Sequence, residues 1–301
     1  MSWEPSWKKT SFPAVTALGR VEENGPEMYL LRLDQLHPEV SGNKWFKLKY
    51  NLQAALHHHA AVLTFGGPWS NHIAATAAAC QLSGIKSIGL IRGAEPARWS
   101  DTLLEARQRG MELHFLTREA YLQKEDPLFL DSLKQSYGDV YIIPEGGNNP
   151  AGIKGCREIL SACQADTYTH LCVPVGTGAT LTGIASAAAP QQQVLGFSAL
   201  KGAPDEALMN LCYGPGPSPK LIRAYTFGGF AKKTPALLEF MQAFRRQHGI
   251  LLDFVYTAKM MYGINDLIRN GFFDPKARIL AIHTGGQQGN RSLDPTLGLL
   301  P

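Results

Sequence analysis

A lysine at the start of a helix is the residue with the clearest chemical potential in this sequence. Lys44 follows a short Ser-Gly-Asn turn, and apolar residues then recur at helical spacing as far as Leu56. A lysine kept out of water becomes less basic, and its neutral amine can form a Schiff base with a carbonyl compound such as pyridoxal phosphate. A single lysine is more often solvated, as the neighbouring Lys47 and Lys49 would be. The other motifs must therefore distinguish the two hypotheses.

A glycine-rich turn after a predicted buried strand at 168–175 has the composition of a phosphate site. It contains Gly176, Thr177, Gly178, Ala179 and Thr180. Small residues let the backbone approach a phosphate, and the N-terminal end of the helix that follows favours negative charge. A dinucleotide fingerprint would need glycine where this chain has leucine, and a P-loop would need Gly-Lys-Ser/Thr, which is absent. The turn therefore predicts a phosphate monoester rather than NAD or ATP.

A second strand, turn and helix unit begins with a predicted strand at 60–65 and leads into an alanine-rich helix that ends near Gly84. Ser70 is a natural N-cap for this helix. Its first turn contains no Asp or Glu, so its free N–H groups and its dipole are expected to be available to an anion such as a substrate carboxylate. Capping by Ser70 and binding of a carboxylate are compatible interpretations.

Composition and charge exclude several classes of protein. The 301 residues are 45% hydrophobic and 18% charged, which suits one large or two moderate globular domains. A net charge of +4 without a basic run argues against nucleic-acid binding. The five cysteines include no Cys-x-x-Cys, which predicts reduced thiols in a cytoplasmic protein. We expect no signal peptide, because the N-terminus has no basic stretch followed by an apolar run, and no membrane span, because no uninterrupted apolar run reaches about 18 residues.

Three consecutive histidines, His57 to His59, are the candidate metal ligands. Adjacent histidines on a helix point in different directions, and no cysteine or carboxylate lies at ligand spacing. A solvated helix end without a metal is therefore predicted.

Strands and helices alternate along most of the chain. Residues 1–28 are expected to be irregular, with Trp3, Trp7 and Phe12 as possible anchors. Strands are predicted at 28–34, 60–65, 86–93, 112–116, 140–144, 168–175, 194–200 and from 278 to a glycine turn at 285–289. This alternation indicates βαβ units around parallel sheets, which place ligands at the carboxyl ends of their strands.

Six motifs occur in an order that points to a known enzyme family. They are Ser-Gly-Asn-Lys-Trp-Phe-Lys-Leu, Gly-Gly-Pro-Trp-Ser-Asn-His, Pro-Glu-Gly-Gly-Asn-Asn, Val-Gly-Thr-Gly-Ala-Thr, Val-Tyr-Thr-Ala-Lys-Met-Met-Tyr-Gly and His-Thr-Gly-Gly. Over roughly residues 25–290 the chain resembles the pyridoxal-phosphate enzymes grouped as D-cysteine desulfhydrase and 1-aminocyclopropane-1-carboxylate deaminase, relatives of the tryptophan synthase β-subunit.

The resemblance implies an α/β protein of fold type II, with two open, twisted parallel-sheet domains and pyridoxal 5′-phosphate in the cleft between them. The large domain would combine residues 1–50 and 151–301, and the small domain would span 51–150. The partners implied are a small amino-acid substrate and a second copy of the chain in a homodimer.

The resemblance also implies roles for individual residues. Lys44 would hold the cofactor covalently and act as a base, Ser70 would be a second proton acceptor, and Tyr256 would line the substrate pocket. Asn71 would contact the pyridine 3-hydroxyl group, and Thr284 would lie at the pyridine nitrogen.

The same resemblance implies a ligand for each of the two predicted turns. The phosphate would be held by Gly176, Thr177, Gly178, Ala179 and Thr180. The substrate carboxylate would be held by the turn Ser70, Asn71 and His72. Three large side chains are expected at the pocket wall, namely Trp45, Phe46 and Trp69.

Thr284 favours one reaction within the family. An acid at the pyridine nitrogen would keep the ring protonated, whereas a threonine does not, and a neutral ring suits proton abstraction with prompt loss of a β-substituent. We therefore expect α,β-elimination from a small amino acid to give a 2-oxo acid and ammonia. The alternatives are 1-aminocyclopropane-1-carboxylate deamination, an amino-acid racemase or dehydratase, and a pyridoxal-phosphate-binding protein without catalysis.

Overall fold

Two sheets with parallel strands form the framework of the protein. The computed structural model describes residues 13–201 and 216–301. The strands are β1 (Val15–Arg20), β2 (Glu27–Arg32), β3 (Ala61–Gly66), β4 (Ser87–Arg92), β5 (Met111–Leu116), β6 (Val140–Ile143), β7 (His170–Val175), β8 (Gln193–Ser198), β9 (Lys220–Ile222) and β10 (Arg278–His283). The strand order is β1-β2-β10-β7-β8-β9 in the larger sheet and β5-β4-β3-β6 in the smaller.

Helices cover these sheets and connect their parallel strands. Within the described residues they are α1 (Asn43–His57), α2 (Asn71–Ser83), α3 (Asp101–Gln108), α4 (Arg118–Leu122), α5 (Pro127–Tyr137), α6 (Pro150–Arg157), α7 (Ala179–Ala187), α8 (Pro235–His248) and α9 (Thr257–Arg269). Several begin where the sequence offers a side-chain cap, as α2 does at Ser70 and α8 at Thr234. None of the helices in the described ranges is long and apolar enough to cross a membrane.

The predicted α/β fold with two parallel-sheet units is confirmed. The smaller sheet is parallel throughout, and every pairing in the larger sheet is parallel except that of β1 with β2. The smaller sheet draws its strands from residues 61–143, and the larger sheet draws its strands from both sides of that segment. The exact domain limits near residues 50 and 151 stay a prediction.

The prediction that residues 1–28 are irregular was wrong in part. Val15–Arg20 forms β1, an antiparallel edge strand whose register with β2 shifts between Ala17 and Gly19. The bulge breaks the alternation of buried and exposed side chains that identifies a strand in a sequence. Short elements without a clear period, such as α4 and β9, also escaped prediction. Trp3, Trp7 and Phe12 lie outside the described residues.

Helix α1 is packed closely against α6. An added Cβ at Gly155 would lie 1.9 Å from the carbonyl oxygen of Phe46, so only glycine fits at this crossing. Trp45 and Phe46 are fully buried in the core that this helix pair shares with the larger sheet. Their predicted place at the pocket wall was therefore wrong, because the helix turns both rings towards the core.

Replacing Gly155 with alanine is expected to destabilise the fold by about 3 kcal/mol, since the backbone of Phe46 cannot move away without separating the two helices. Urea unfolding followed by circular dichroism measures this change. The matched control is Gly67→Ala, whose added methyl group would meet only the end of the Arg92 side chain, at 3.6 Å, and should change stability by less than about 0.5 kcal/mol. Equal midpoints for the two variants would contradict the close approach.

Candidate active site

The largest set of predicted site residues meets in one cleft of about 610 Å³. The start of α1, the turns after β7 and β10, the first residue of α2 and the residue before α9 border it. Neighbouring parallel strands end here, which is where such sheets hold ligands. The predicted residues that line the cleft are Lys44, Asn71, Gly176, Thr177, Gly178, Thr180, Tyr256 and Thr284. The predicted residues that do not line it are Ser70, His72 and Ala179.

Lys44 is held in place by the turn before α1. Gly42 adopts φ +67°, and an added Cβ there would lie 1.9 Å from the carbonyl oxygen of Thr284. The Lys44 amine donates to Asn43 Oδ1 at 3.0 Å, and Asn43 Nδ2 donates to Thr180 Oγ1 at 2.8 Å. Burial, reinforced by the charge of Lys47, lowers the pKa of Lys44 to about 7. The amine is therefore available in neutral form near neutral pH.

In protein freed of cofactor, added pyridoxal phosphate should attach to Lys44 at a rate that follows this pKa. Only the neutral amine attacks the aldehyde, so the rate should rise about tenfold from pH 5 to 6 and level off above about pH 7. An amine with the ordinary pKa of 10.5 would give a rate that still rises at pH 9. Stopped-flow absorbance across this range separates the two cases.

The turn after β7 leaves a helix end open to the cleft. Helix α7 begins after Gly178, at φ +98°, and it has neither a side-chain cap nor an acidic residue in its first turn. An added Cβ at Gly176 would lie 2.9 Å from the ring of Tyr256, so the turn must be this small. Backbone N–H groups and the helix dipole here favour an anion. Ala179 is buried in the first turn, so any contact that it makes with an anion would come from its backbone N–H group.

Lys47 was missed as a site residue. It is 4% exposed, lines the cleft, and donates from Nζ to the carbonyl oxygen of Gly146 at 2.9 Å. Burial lowers its pKa, and an anion in the cleft would compensate its charge. One signal could have found it, because residues three apart lie on the same face of a helix and Lys47 follows Lys44 by three. The other polar side chains that were missed are Ser41, Asn43 and Gln288.

The turn before α2 differs from the prediction in its hydrogen bonds. Ser70 Oγ accepts from the backbone N–H groups of His72 and Ile73 at 3.2 and 3.3 Å, so these groups are already shared with the cap. The His72 side chain does not line the cleft, and its Nε2 pairs with Thr64 Oγ1 at 2.9 Å. Burial, together with the charges of Lys44 and Lys47, holds the pKa of His72 well below its usual value. A role for His72 in substrate binding would thus involve its backbone.

Asn71 presents an unused acceptor. It is the first residue of α2 and lines the cleft, and its Oδ1 is buried without a hydrogen-bond partner. An added Cβ at Gly286 would lie 2.3 Å from the side-chain nitrogen of Asn71, Nδ2. Position 286 must therefore be glycine for the Asn71 amide to occupy this place. A buried unpaired oxygen is costly unless a ligand donates to it.

Tyr256 lies immediately before α9 and is held by a buried carboxylate. Asp253 accepts from the backbone N–H groups of Val255, Tyr256 and Thr257 at 3.1, 2.8 and 2.9 Å. Burial raises the pKa of the Tyr256 phenol, so it keeps its proton. Asp253 is not among the residues that line the cleft, and among the described residues that do line it there is no Asp or Glu.

Comparison with known proteins identifies the family. A family model described as pyridoxal-phosphate dependent enzyme matches residues 10–285. The chain belongs to the pyridoxal-phosphate-dependent enzymes. The mitochondrial bifunctional D-cysteine desulfhydrase/1-aminocyclopropane-1-carboxylate deaminase of Arabidopsis thaliana is 31% identical over 300 residues, covering 88% of this chain and 74% of that protein. A putative 1-aminocyclopropane-1-carboxylate deaminase of Pyrococcus horikoshii is 30% identical over 284 residues, covering 89% of this chain and 86% of that protein.

Solved structures confirm the fold of this pyridoxal-phosphate-dependent enzyme. A crystal structure described as that of an ACC deaminase homologue matches with a TM-score of 0.81 at 27% identity, covering 98% of this chain and 97% of that one. An O-acetylserine-dependent cystathionine β-synthase from Helicobacter pylori matches with a TM-score of 0.66 at 15% identity, covering 97% of this chain and 98% of that one. The second likeness supports the fold alone, which is that of fold type II.

The cleft suits pyridoxal phosphate on three counts. The uncapped start of α7 and the buried ammonium of Lys47 can take the phosphate. The neutral amine of Lys44 can bond to the aldehyde. The unpaired Oδ1 of Asn71 can accept from the pyridine hydroxyl group. Within the described part of the chain no group of three or more His, Cys, Asp or Glu side chains could hold a metal ion.

Proposed function

We propose that this enzyme catalyses α,β-elimination on a small amino acid, giving a 2-oxo acid and ammonia, with a sulfur-bearing substrate such as D-cysteine releasing sulfide. The observation that carries the proposal is the absence of Asp and Glu among the described residues that line the cleft. Thr284 lies there instead, and it cannot supply the charge that would keep a pyridine nitrogen protonated. The similarity to a D-cysteine desulfhydrase/1-aminocyclopropane-1-carboxylate deaminase and to a putative 1-aminocyclopropane-1-carboxylate deaminase supports the substrate class.

The side chains divide the chemistry between them. When bound, pyridoxal phosphate withdraws electrons from the substrate Cα and so permits loss of its proton and of a β-substituent. The amine of Lys44, with a pKa of about 7, would hold the cofactor aldehyde between turnovers and, as a neutral base, can take the Cα proton of a bound substrate. Asn43 orients that amine through its 3.0 Å hydrogen bond. The Tyr256 phenol keeps its proton at neutral pH and can donate it to a departing group.

The start of α2 is proposed to hold the substrate carboxylate. Ser70 is next to the cleft residue Asn71. The two backbone N–H groups that donate to Ser70 Oγ would also donate to the carboxylate. In this arrangement the Ser70 hydroxyl proton points to the carboxylate, which supports a positioning role more directly than the role of proton acceptor. The backbone of His72 belongs to the same turn.

A panel of amino acids tests the reaction. The holoenzyme is incubated with D-cysteine, L-cysteine, D-serine and 1-aminocyclopropane-1-carboxylate, and sulfide, 2-oxo acid and ammonia are measured. Equal amounts of sulfide, pyruvate and ammonia from cysteine would support elimination. Formation of 2-oxobutanoate from the cyclopropane substrate at a higher kcat/KM would favour ring opening instead. Racemisation without ammonia release would contradict both reactions.

Ser70→Ala and Ser70→Asn separate capping from substrate binding. Asparagine also caps helices, so Ser70→Asn should keep the stability that Ser70→Ala loses, about 1 kcal/mol. If the hydroxyl group contacts the carboxylate, both variants should raise KM about tenfold. Thermal unfolding and steady-state kinetics provide the two measurements. Normal KM in Ser70→Asn would show that the hydroxyl group only caps the helix.

We also propose a homodimer in the cytoplasm. The family resemblance supports the dimer, and sedimentation measures it. Cys80, Cys156, Cys163 and Cys172 are free thiols in the described residues, which supports a reducing compartment. Cys212 lies outside those residues.

A further inference from the structure

Lys259 is a buried charge that the proposed reaction does not use. It lies in the first turn of α9 and is 1% exposed. Its ammonium donates to the carbonyl oxygens of Thr226 and Gly229 at 2.8 and 2.7 Å. Burial lowers its pKa to about 8, so it remains mostly protonated at pH 7. A buried ammonium is costly unless it is well paired, and here both pairing groups belong to one loop.

The loop that Lys259 holds has an unfavourable backbone. Four of its residues have positive φ values, namely Phe227 at +49°, Gly228 at +89°, Gly229 at +113° and Ala231 at +54°. Phe227 and Ala231 carry a Cβ atom, for which this region is disfavoured. Such a conformation persists only where the surrounding contacts enforce it. The two hydrogen bonds from Lys259 supply such contacts.

The loop places an aromatic side chain beside a residue that lines the cleft. The ring of Phe227 packs edge-on against Tyr262 of α9 at 4.9 Å between centroids, which fixes one end of the loop. The ring of Phe230 then lies 6.1 Å from the ring of Tyr256, which lines the cleft. Phe230 is 45% exposed, so its ring is available to a ligand that enters beside Tyr256.

We propose that Lys259 is a positioning residue that holds the loop of residues 226–231 against α9, so that Phe230 forms the outer apolar wall of the substrate site beside Tyr256. The enzyme would then favour amino acids with uncharged, apolar or sulfur-bearing side chains over acidic or basic ones. This inference rests on the proposed function for its substrate and on the loop contacts for its structural part, and the two are tested separately.

Trypsin tests the loop without any substrate. Lys232 and Lys233 are exposed and follow the loop directly. In the holoenzyme of Lys259→Met the loop loses both hydrogen bonds to the ammonium, and cleavage after Lys232 and Lys233 should become at least about tenfold faster. Mass spectrometry locates the cuts. The matched control is Lys49→Met, which removes another buried ammonium, paired with Glu158 at the end of α6, and should leave cleavage after residues 232 and 233 unchanged.

Kinetics test the wall. With a substrate that the wild-type enzyme turns over, Phe230→Ala should raise KM about tenfold and change kcat less than about twofold. Lys259→Met should have the same effect. The KM of the double variant should be no higher than that of either single variant, because both substitutions disrupt the same wall. Lys49→Met should keep the wild-type KM. The preference for cysteine over an acidic substrate analogue should fall in both loop variants.

Each outcome bears on the proposal. Faster cleavage with a shared, non-additive rise in KM supports it. Unchanged cleavage in a folded Lys259→Met protein would overturn the role of Lys259, and an unchanged KM in Phe230→Ala would overturn the wall. If Lys259→Met does not fold, the result for the exposed Phe230→Ala still decides the wall. If wild-type enzyme acts on no amino acid, the proposed function fails, while the trypsin result still decides the role of Lys259.

Discussion

Replacing Lys44 with alanine is expected to lower kcat by at least roughly 10³-fold for every substrate of the enzyme. Lys44 is a cleft amine whose pKa falls to about 7, so it can both bond to the cofactor aldehyde and remove the Cα proton near neutral pH. Lys47 is the other lysine among the described residues that line the cleft, and its Nζ donates a hydrogen bond to the carbonyl oxygen of Gly146. The variant should fold normally, because alanine is well accommodated in a helix.

Borohydride reduction and peptide mapping test without turnover whether Lys44 is the residue that holds the cofactor. Wild-type holoenzyme should lose its visible absorption on reduction and carry the pyridoxyl mass on the peptide with Lys44. The Lys44→Ala protein should carry no such mass, and Lys49→Met should behave as wild type because Lys49 is paired with Glu158 outside the cleft. Full turnover by Lys44→Ala, or a label on Lys47, would overturn the assignment.

The parts of the fold that the sequence predicted are those in which local pattern and burial agree. The apolar strands β3, β4 and β7 are buried through most of their length, so a run of apolar residues bounded by turn residues was sufficient to place them. Ser70 could be identified as a cap because the polar residue precedes an alanine-rich segment. The edge strand β1 could not be identified, because half of it is exposed and a bulge interrupts it.

The parts of the site that could not be predicted depend on tertiary contacts. The burial of Lys47 depends on Gly146, which lies 99 residues further along the chain. The same helix turns Trp45 and Phe46 into the core, although the size of their side chains had suggested a place at the pocket wall. The side-chain direction of His72 depends on Thr64 of the neighbouring strand. Motifs were therefore sufficient to locate the glycine turns and Lys44. The roles of the long side chains could be assigned only once the packing of the helices was known.

Lys47→Met is expected to weaken binding of pyridoxal phosphate by about 100-fold, or about 2.8 kcal/mol. The ammonium is 4% exposed and its one hydrogen bond in the structure is to a backbone carbonyl, so a phosphate in the cleft would provide its counter-charge. Methionine preserves the apolar length of the side chain and removes the charge. Pyridoxal, which lacks the phosphate, should bind both proteins equally, and that contrast isolates the charge from any change in packing.

The measurement must also allow for an effect on Lys44. The charge of Lys47 lowers the pKa of Lys44, so Lys47→Met raises that pKa and slows attachment of either ligand near neutral pH. The ratio of the two affinities, from equilibrium titrations at about pH 7 followed by absorbance, removes this effect because both ligands bond to the same Lys44 amine. Lys49→Met serves as the control and should bind both ligands as the wild type does. An equal loss of affinity for pyridoxal and for pyridoxal phosphate would mean that Lys47 acts through Lys44 or through packing, and that the phosphate is held by the turn after β7 alone.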